Sequence, residues 1–250
     1  PRVGITISHY GATGPSWISR NYGYKQQRVD DVFQMLDEAN YDVYAVIEPQ
    51  TELLGELPAL LRSLRLQDKL VDVSDPQALG QLDAVFAFSP VNLHPNVLAS
   101  LKEAISKGMG LVTVRDFATV TPGYDDDGVA AITGIRNGRH AWKGRTGRHC
   151  FVIGEHPILG DVPVGTRIEI SHAEGGWTTD GAIEGGQSLI GAPNEFPETY
   201  STMYVRNLGA GRIVRFQWAE LNNPDVPFGQ FGIYLRSINW AAKRDVATVW

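Results

Sequence analysis

The sequence predicts a soluble α/β protein in which the strands of a mostly parallel sheet alternate with helices. Two observations lead to this fold class. Short apolar runs bounded by glycine or proline recur along the first half of the chain, as expected of strands covered on both faces. Between these runs lie segments whose apolar residues recur at helical spacing. Such alternation is typical of right-handed βαβ units, which build a parallel sheet.

The first half of the chain supplies four predicted strands, at 2–8, 43–47, 83–89 and 110–115. Helical spacing between them predicts one helix over 29–39 and another that begins near Pro58, in a stripe of leucines running from Leu53 to Leu64. A third helix begins near Pro95 and ends at the glycines that precede the fourth strand.

The alternation stops after Asp116. Residues 117–148 are rich in glycine and polar residues, which predicts mostly loop with one short helix near 129–132. Strand-like pieces follow at 150–153, 166–170, 188–191 and 202–205, and they predict antiparallel additions to the sheet or a small β-subdomain. A core strand returns at 211–217.

The last predicted helix carries a set of apolar residues on one face: Phe231, Tyr234, Leu235, Ile238 and Ala241. The chain shows no internal repeat, low-complexity segment or linker. Residues 1–250 are therefore interpreted as a single domain.

The composition argues against several classes of function. A net charge of −6 disfavours a general affinity for nucleic acid or for an anionic membrane surface. No apolar run approaches the roughly 18 residues of a membrane span. Cys150 is the single cysteine, so the chain forms no internal disulfide. This fits a cytoplasmic protein and equally an exported one whose signal has been removed, and the compartment stays open.

We expect the functional site at the carboxyl edge of the parallel sheet, where the loops that leave the strands converge. Applied to the predicted strands, this rule selects polar and aromatic residues that include His9, Tyr10, Ser89, Asn92, Arg115, Asp116, Gln217, Trp218 and Glu220. Asp116, His9 and Glu220 are the candidates for acid and base catalysis. The other six are candidates for binding a small polar substrate. Each also has a structural interpretation, as a backbone, salt-bridge or capping partner.

The sequence carries no motif for a cofactor or a metal. The loop at 11–16 lacks the lysine of a phosphate-binding P-loop, and no GxGxxG is present. The acidic run at 125–128 lacks the spacing of an EF-hand, and the histidines lack zinc-site spacing. The prediction is therefore no cofactor and no metal.

The segment 136–149 is strongly basic. Its cations are Arg136, Arg139, Lys143, Arg145 and Arg148, and His140, Trp142 and His149 lie among them. Four interpretations stay open: an anion site, a lid over the crevice, a contact in a homo-oligomer, or a hydrated loop that balances an acidic surface.

Four segments together resemble the ThuA-like (trehalose-utilisation) family, within the class I glutamine amidotransferase-like fold. They are "LASLKEAISKGMGLVTV" at 98–114, "GEHPILGDV" at 154–162, "GAGRIVRFQWAE" at 209–220 and "FGIYLRSINWAAK" at 231–243. The likeness spans about 145 residues and rests on the order of the segments. It implies a flavodoxin-like three-layer sandwich and a protein that acts on a sugar or sugar derivative, as a carbohydrate-active hydrolase or isomerase.

The sequence departs from the family where the chemistry is expected. A glutamine amidotransferase has a nucleophilic cysteine after the strand that here ends near Arg115, and no cysteine stands there, so glutamine hydrolysis by that route is not expected. ThuA-like members place histidines where this chain has Arg115-Asp116 and Gln217-Trp218. Two functions therefore stay open: an enzyme that acts on a carbohydrate by acid/base chemistry, and a non-catalytic binding or scaffold protein with a degenerate site.

Overall fold

The computed structural model describes residues 1–7, 26–49, 51–88, 95–114, 126–134, 139–142, 149–169, 177–180, 185–191, 200–216 and 228–249. The strands within these ranges are β1 (Arg2–Thr6), β2 (Asp42–Ile47), β3 (Leu70–Asp72), β4 (Ala84–Ala87), β5 (Gly110–Thr113), β6 (Arg139–Trp142), β7 (His149–Val152), β8 (Arg167–Glu169), β9 (Trp177–Asp180), β10 (Gly186–Gly191), β11 (Tyr200–Leu208) and β12 (Gly211–Phe216). The helices are α1 (Gln26–Glu38), α2 (Leu57–Ser63), α3 (Pro76–Leu79), α4 (Pro95–Lys107), α5 (Asp126–Thr133) and α6 (Gly229–Ala241).

One sheet contains all the described strands. Its main order is β3-β2-β1-β4-β5-β12-β11-β10-β7-β8, and β6 and β9 join it through β11. The block from β3 to β12 is parallel throughout, and the strands from β11 to β8 are antiparallel. This confirms the predicted mostly parallel sheet with antiparallel additions in the second half of the chain.

Helices cover both faces of the parallel block, because successive residues of its strands are apolar on both sides. Val3, Ile5 and Val112 face a core that includes α1, α2 and α6. Val85 and Leu111 face a second core that includes α3, α4 and α5. The result is a three-layer α/β sandwich.

Most predicted elements are confirmed, but the structure corrects two details. Phe231 is 39% exposed, whereas the other apolar residues predicted for that face of α6 are buried. The predicted start of a helix near Pro58 is confirmed, since α2 begins at Leu57, and Leu53 and Leu54, which precede it, are exposed. The stretch 117–148, predicted as mostly loop with one short helix, also contains a strand, since Arg139–Trp142 forms β6. This strand has no apolar alternation and arises from its pairing with β9.

Two glycines lie where two strands begin against helices. A Cβ atom on Gly110, the first residue of β5, would lie 2.6 Å from the carbonyl oxygen of Ala241 in α6. A Cβ atom on Gly211, the first residue of β12, would clash with the carbonyl oxygen of Ile105 and lie 2.6 Å from that of Met109. The glycines of the family-like segments therefore allow close packing at the amino edge of the sheet, the edge where the parallel strands begin.

His156 holds a turn against α6. Its Nδ1 accepts a hydrogen bond from the backbone N–H of Ile158 at 3.3 Å, which caps the 3-10 turn Pro157–Leu159. Its ring meets the ring of Trp240 edge-on, with the centroids 4.8 Å apart. Burial, together with the nearby Arg212 guanidinium, lowers the pKa of His156 to about 4. The neutral imidazole is therefore the form that the fold requires.

We predict that Gly211→Ala lowers the free energy of unfolding by about 3 kcal/mol, because the new methyl group must displace backbone carbonyls. Chemical denaturation measures this change. The control is Gly80→Ala, at an exposed position with φ −65°, where we expect a change below about 1 kcal/mol. Equal effects of the two substitutions would contradict the packing role of Gly211.

We predict that stability falls as the pH drops from about 6.5 to about 4, because the unfolded chain protonates His156 before the folded chain does. Between the unfolded and folded pKa values, a fully buried group would lower the free energy of unfolding by about 1.4 kcal/mol for each pH unit. His156 is partly exposed, and we therefore expect a total loss of about 2 kcal/mol. The comparison is with His156→Asn, which keeps a capping side chain and does not titrate. If the stability of the two proteins changed with pH in the same way, the loss of stability at low pH would not come from His156.

Candidate functional site

The strand order changes direction between β1 and β4. From β1, the chain adds β2 and β3 on one side, then places β4 and β5 on the other side, with β12 beyond β5. In open α/β sheets, ligands bind outside the carboxyl ends of the strands at such a switch point. The topology therefore selects the carboxyl edge of β1, β4, β5 and β12 as the candidate site.

The nine predicted site residues, His9, Tyr10, Ser89, Asn92, Arg115, Asp116, Gln217, Trp218 and Glu220, all lie outside the described residues. Their mutual distances stay predictions. What the structure describes is the strand end that precedes each group, and these four ends belong to β1, β4, β5 and β12, which are neighbours in the sheet.

The described residues just before these segments form a rigid base. They are Ile7, Phe88, Val114 and Phe216, each at most 3% exposed. The Phe216 ring meets the Tyr234 ring of α6 edge-on at 5.0 Å, and Phe86 of β4 contacts the same tyrosine ring at 5.1 Å. The chain thus enters each candidate segment from a packed position in the core.

Arg215 is a buried cation at this edge that the sequence analysis missed. It is 2% exposed and lies one residue before the end of β12, paired with Thr113 at the end of β5. Its Nη1 lies 3.5 Å from the Thr113 Oγ1. Arginine is rarely so buried. The available signal was a charged residue between the apolar residues Val214 and Phe216 of a predicted core strand.

Tyr204 and Arg206 of β11 share the face of Arg215 and bind the end of α5. The Tyr204 hydroxyl donates to the carbonyl of Thr133 at 3.0 Å, and the Arg206 guanidinium donates to the carbonyl of Ile132 at 3.1 Å. A cation is favourable at a helix C-terminus. Complete burial raises the pKa of Tyr204 to about 12, so this hydroxyl stays protonated and donates. These bonds fix α5, which follows β5 and the segment that contains Asp116.

A groove of about 480 Å³ lies at the amino edge of the sheet, at the opposite ends of the strands from the candidate site. Its lining is Phe33, Asp37, Tyr41, Val43, Ser63, Leu64, Arg65, Leu66 and Lys69. Several of its polar groups are already engaged. The Tyr41 hydroxyl donates to Asn239 at 2.7 Å, and Lys69 pairs with Asp42 at 2.7 Å. The groove contains none of the predicted site residues.

Cys150 is fully buried in β7. Three strands, β12, β11 and β10, separate β7 from β5, so the sole thiol is remote from the end of β5. Among the described residues, no three histidine, cysteine, aspartate or glutamate side chains are grouped so as to hold a metal ion. None of the described helices has the length and hydrophobicity needed to span a bilayer.

Comparisons with known proteins find similarity at the level of structure. No protein-family model and no curated protein matches the sequence. A ThuA-like protein from Bacteroides uniformis aligns with a TM-score of 0.54 and 10% identity, over 98% of this chain and 90% of that one. A ThuA-like protein from Parabacteroides merdae aligns with a TM-score of 0.51 and 15% identity, over 96% of this chain and 89% of that one.

A β-galactosidase from Rahnella sp. R3 aligns with a TM-score of 0.56 and 14% identity, over 96% of this chain but only 31% of that one. This chain therefore corresponds in length to about a third of the enzyme. At these identities the comparisons establish the fold. The chain shares the flavodoxin-like fold of ThuA-like proteins over almost its whole length, as the resemblance implied.

We predict that Tyr204→Phe destabilises the protein by about 1–2 kcal/mol, because a buried carbonyl loses a donor. Amide hydrogen exchange near the end of α5, at residues 130–133, should accelerate more than exchange in α4. Tyr44→Phe is the control, since the Tyr44 hydroxyl bonds to the exposed Asp42, and we expect a change within about 0.5 kcal/mol. Unchanged exchange in α5 would show that this bond does not hold the helix.

Proposed function

We propose that this chain is a ThuA-like protein that binds a sugar or sugar derivative at the carboxyl edge of its sheet and acts on it by acid/base chemistry. The observation that carries the proposal is the adjacency of the ends of β1, β4, β5 and β12 at the switch point. His9, Asp116 and Glu220 follow three of these ends within four residues or fewer. The proposal treats residues 1–250 as one domain.

The residue types suit this chemistry. An imidazole and two carboxylates can exchange protons with a polyol or a carbonyl compound near neutral pH. Arg115 would hold a developing negative charge or a substrate oxygen. Tyr10 and Trp218 offer ring faces for a sugar, while Ser89, Asn92 and Gln217 offer hydrogen bonds to hydroxyl groups. These roles support a hydrolase or an isomerase.

Glutamine amidotransferase activity is not part of the proposal. That chemistry needs a thiolate after β5, where this chain has Arg115 and Asp116. Cys150 cannot substitute, because it is fully buried three strands beyond β12 in the sheet order.

A second candidate is a binding or scaffold protein without catalysis. Two observations favour it. The histidines of ThuA-like proteins are replaced at both expected positions, and the same fold also matches about a third of a β-galactosidase chain, so it occurs as part of a larger protein. This candidate keeps ligand or partner binding and lacks turnover.

We expect a thermal-shift screen of sugars, keto-sugars and sugar phosphates to identify a stabilising ligand. At about 100 times its Kd, a ligand should raise the Tm by about 5–10 °C. Asp116→Ala should abolish the shift while the fold persists by circular dichroism. The control Asp68→Ala removes an exposed carboxylate from the turn that precedes β3 and should leave the shift unchanged.

Turnover separates the two candidates. With the identified ligand, the enzyme candidate predicts product formation that falls at least about 100-fold in Asp116→Asn, since general acid or base catalysis contributes 10²–10⁴-fold. Binding without any product in the wild-type protein would favour the scaffold candidate. Absence of a shift with every sugar, or stabilisation by an unrelated compound class, would overturn the proposal.

A further inference from the structure

The groove at the amino edge combines an apolar floor with two charged residues from different elements. Its floor consists of side chains from residues that are at most 9% exposed: Tyr41, Val43, Leu64 and Leu66. Asp37 lines the groove from the last turn of α1, and Arg65 lines it from the turn after α2. A volume of about 480 Å³ is typical of small-molecule sites. The groove is therefore large enough for a small ligand that is partly apolar.

The third charged residue of the lining, Lys69, is already balanced. Its ammonium lies 2.7 Å from the carboxylate of Asp42. This hydrogen bond raises the pKa of Lys69, and the charge of Asp37 adds to the same shift. Two carboxylates thus act on one ammonium. The surroundings of Lys69 accordingly carry an excess of negative charge, which favours a cationic group of a ligand beside Asp37.

Asp37 and Arg65 themselves are not engaged by the protein. Both are exposed, and among the described residues neither side chain makes a hydrogen bond or an ion pair. An exposed pair of opposite charges that do not meet leaves both groups open to a ligand. The groove thus presents a carboxylate and a guanidinium beside an apolar surface.

Arg65 occupies a backbone position that glycine would fill with less strain. Its φ is +57°. The N–H of Leu66 donates to the carbonyl of Leu61 at 2.8 Å, and the N–H of Arg65 donates to that of Arg62 at 3.1 Å. This is the Schellman pattern that ends a helix, in which glycine is usual because it has no Cβ atom. The geometry of the turn therefore does not explain the arginine.

We propose that this groove binds a zwitterion of the amino-acid type, either a free amino acid with an apolar side chain or a short apolar peptide. Arg65 binds its carboxylate, a group that suits the paired N–H donors of a guanidinium. Asp37 binds its ammonium, and the apolar body covers the floor beside Val43 and Leu66. Both ends of such a ligand are charged near pH 7. This site goes beyond the proposed sugar site and does not depend on it.

The test is titration calorimetry at pH 7 on the full chain. The ligands are leucine, N-acetyl-leucine and leucinamide, and leucyl-leucine with its N-acetyl and amide forms. Acetylation removes the ammonium and amidation removes the carboxylate, while the apolar body stays. We expect leucine or leucyl-leucine to bind at least about tenfold more tightly than either of its blocked forms, since each loses a charge-assisted hydrogen bond. The tighter series decides between a free amino acid and a peptide.

Two variants pair each charge of the ligand with its residue. In Asp37→Asn, the zwitterion should keep its preference over the amide but bind at most about twofold more tightly than the N-acetyl form. In Arg65→Gly, the preference over the N-acetyl form should persist and the preference over the amide should be lost. Arg65→Gln, which removes only the charge, should repeat the result of Arg65→Gly.

Lys243→Gly is the matched control. Lys243 has a φ of +59° at the same position after α6, and it lies outside the groove. A cation is favourable at a helix C-terminus in both places, so this control measures the structural role of the charge. Both glycine variants should keep the Tm or raise it by about 1–3 °C. Lys243→Gly should bind the zwitterion as the wild-type protein does.

Three results would overturn the inference. They are an absence of binding by leucine and leucyl-leucine, equal binding of a zwitterion and its blocked forms, and an equal weakening of all ligands in the Asp37, Arg65 and Lys243 variants. The inference is separable from the proposed function, because Asp116→Ala should leave binding of the zwitterion unchanged. Loss of that binding in Asp116→Ala would place the ligand at the other end of the strands and contradict the groove.

Discussion

The parallel pairing of β12 with β5 determines how the two halves of the sheet are joined. Val214 pairs with Val112 across about a hundred residues of chain, and this contact joins the antiparallel half of the sheet to the parallel half. It sets the end of β12 beside the end of β5, and it fixes where β11, β9 and β6 extend. The pairing is possible because Gly211 has no side chain to clash with the end of α4.

Different requirements constrain the sequence at the amino edge and at the carboxyl edge of the sheet. At the amino edge, Gly110 and Gly211 satisfy a packing requirement that any side chain would violate, and both belong to segments on which the family likeness rests. At the carboxyl edge, the described strands β5 and β12 end just before Arg115-Asp116 and Gln217-Trp218 in the sequence, where the resemblance to ThuA-like proteins implies histidines. A shared fold with altered chemistry is therefore the expected combination, because packing constrains the first edge and ligand chemistry the second.

The sequence predicted the parallel block well, because β1, β2, β4 and β5 are buried on both faces and their apolar runs are unambiguous. It missed β3, β6 and β9, which are three or four residues long and depend on pairing with a distant strand. The site was predicted only as far as topology allows. Strand ends can be inferred from periodicity. The burial of Arg215 follows from tertiary packing, and its one local sign is a charged residue within a predicted core strand.

The most direct measurement is the location of a bound sugar in a crystal structure of the complex. We expect the ligand to lie outside the carboxyl ends of β1, β4, β5 and β12, within hydrogen-bond distance of at least one of His9, Asp116 and Glu220. A ligand seated instead in the groove beside Tyr41, Arg65 and Lys69 at the amino edge would contradict it.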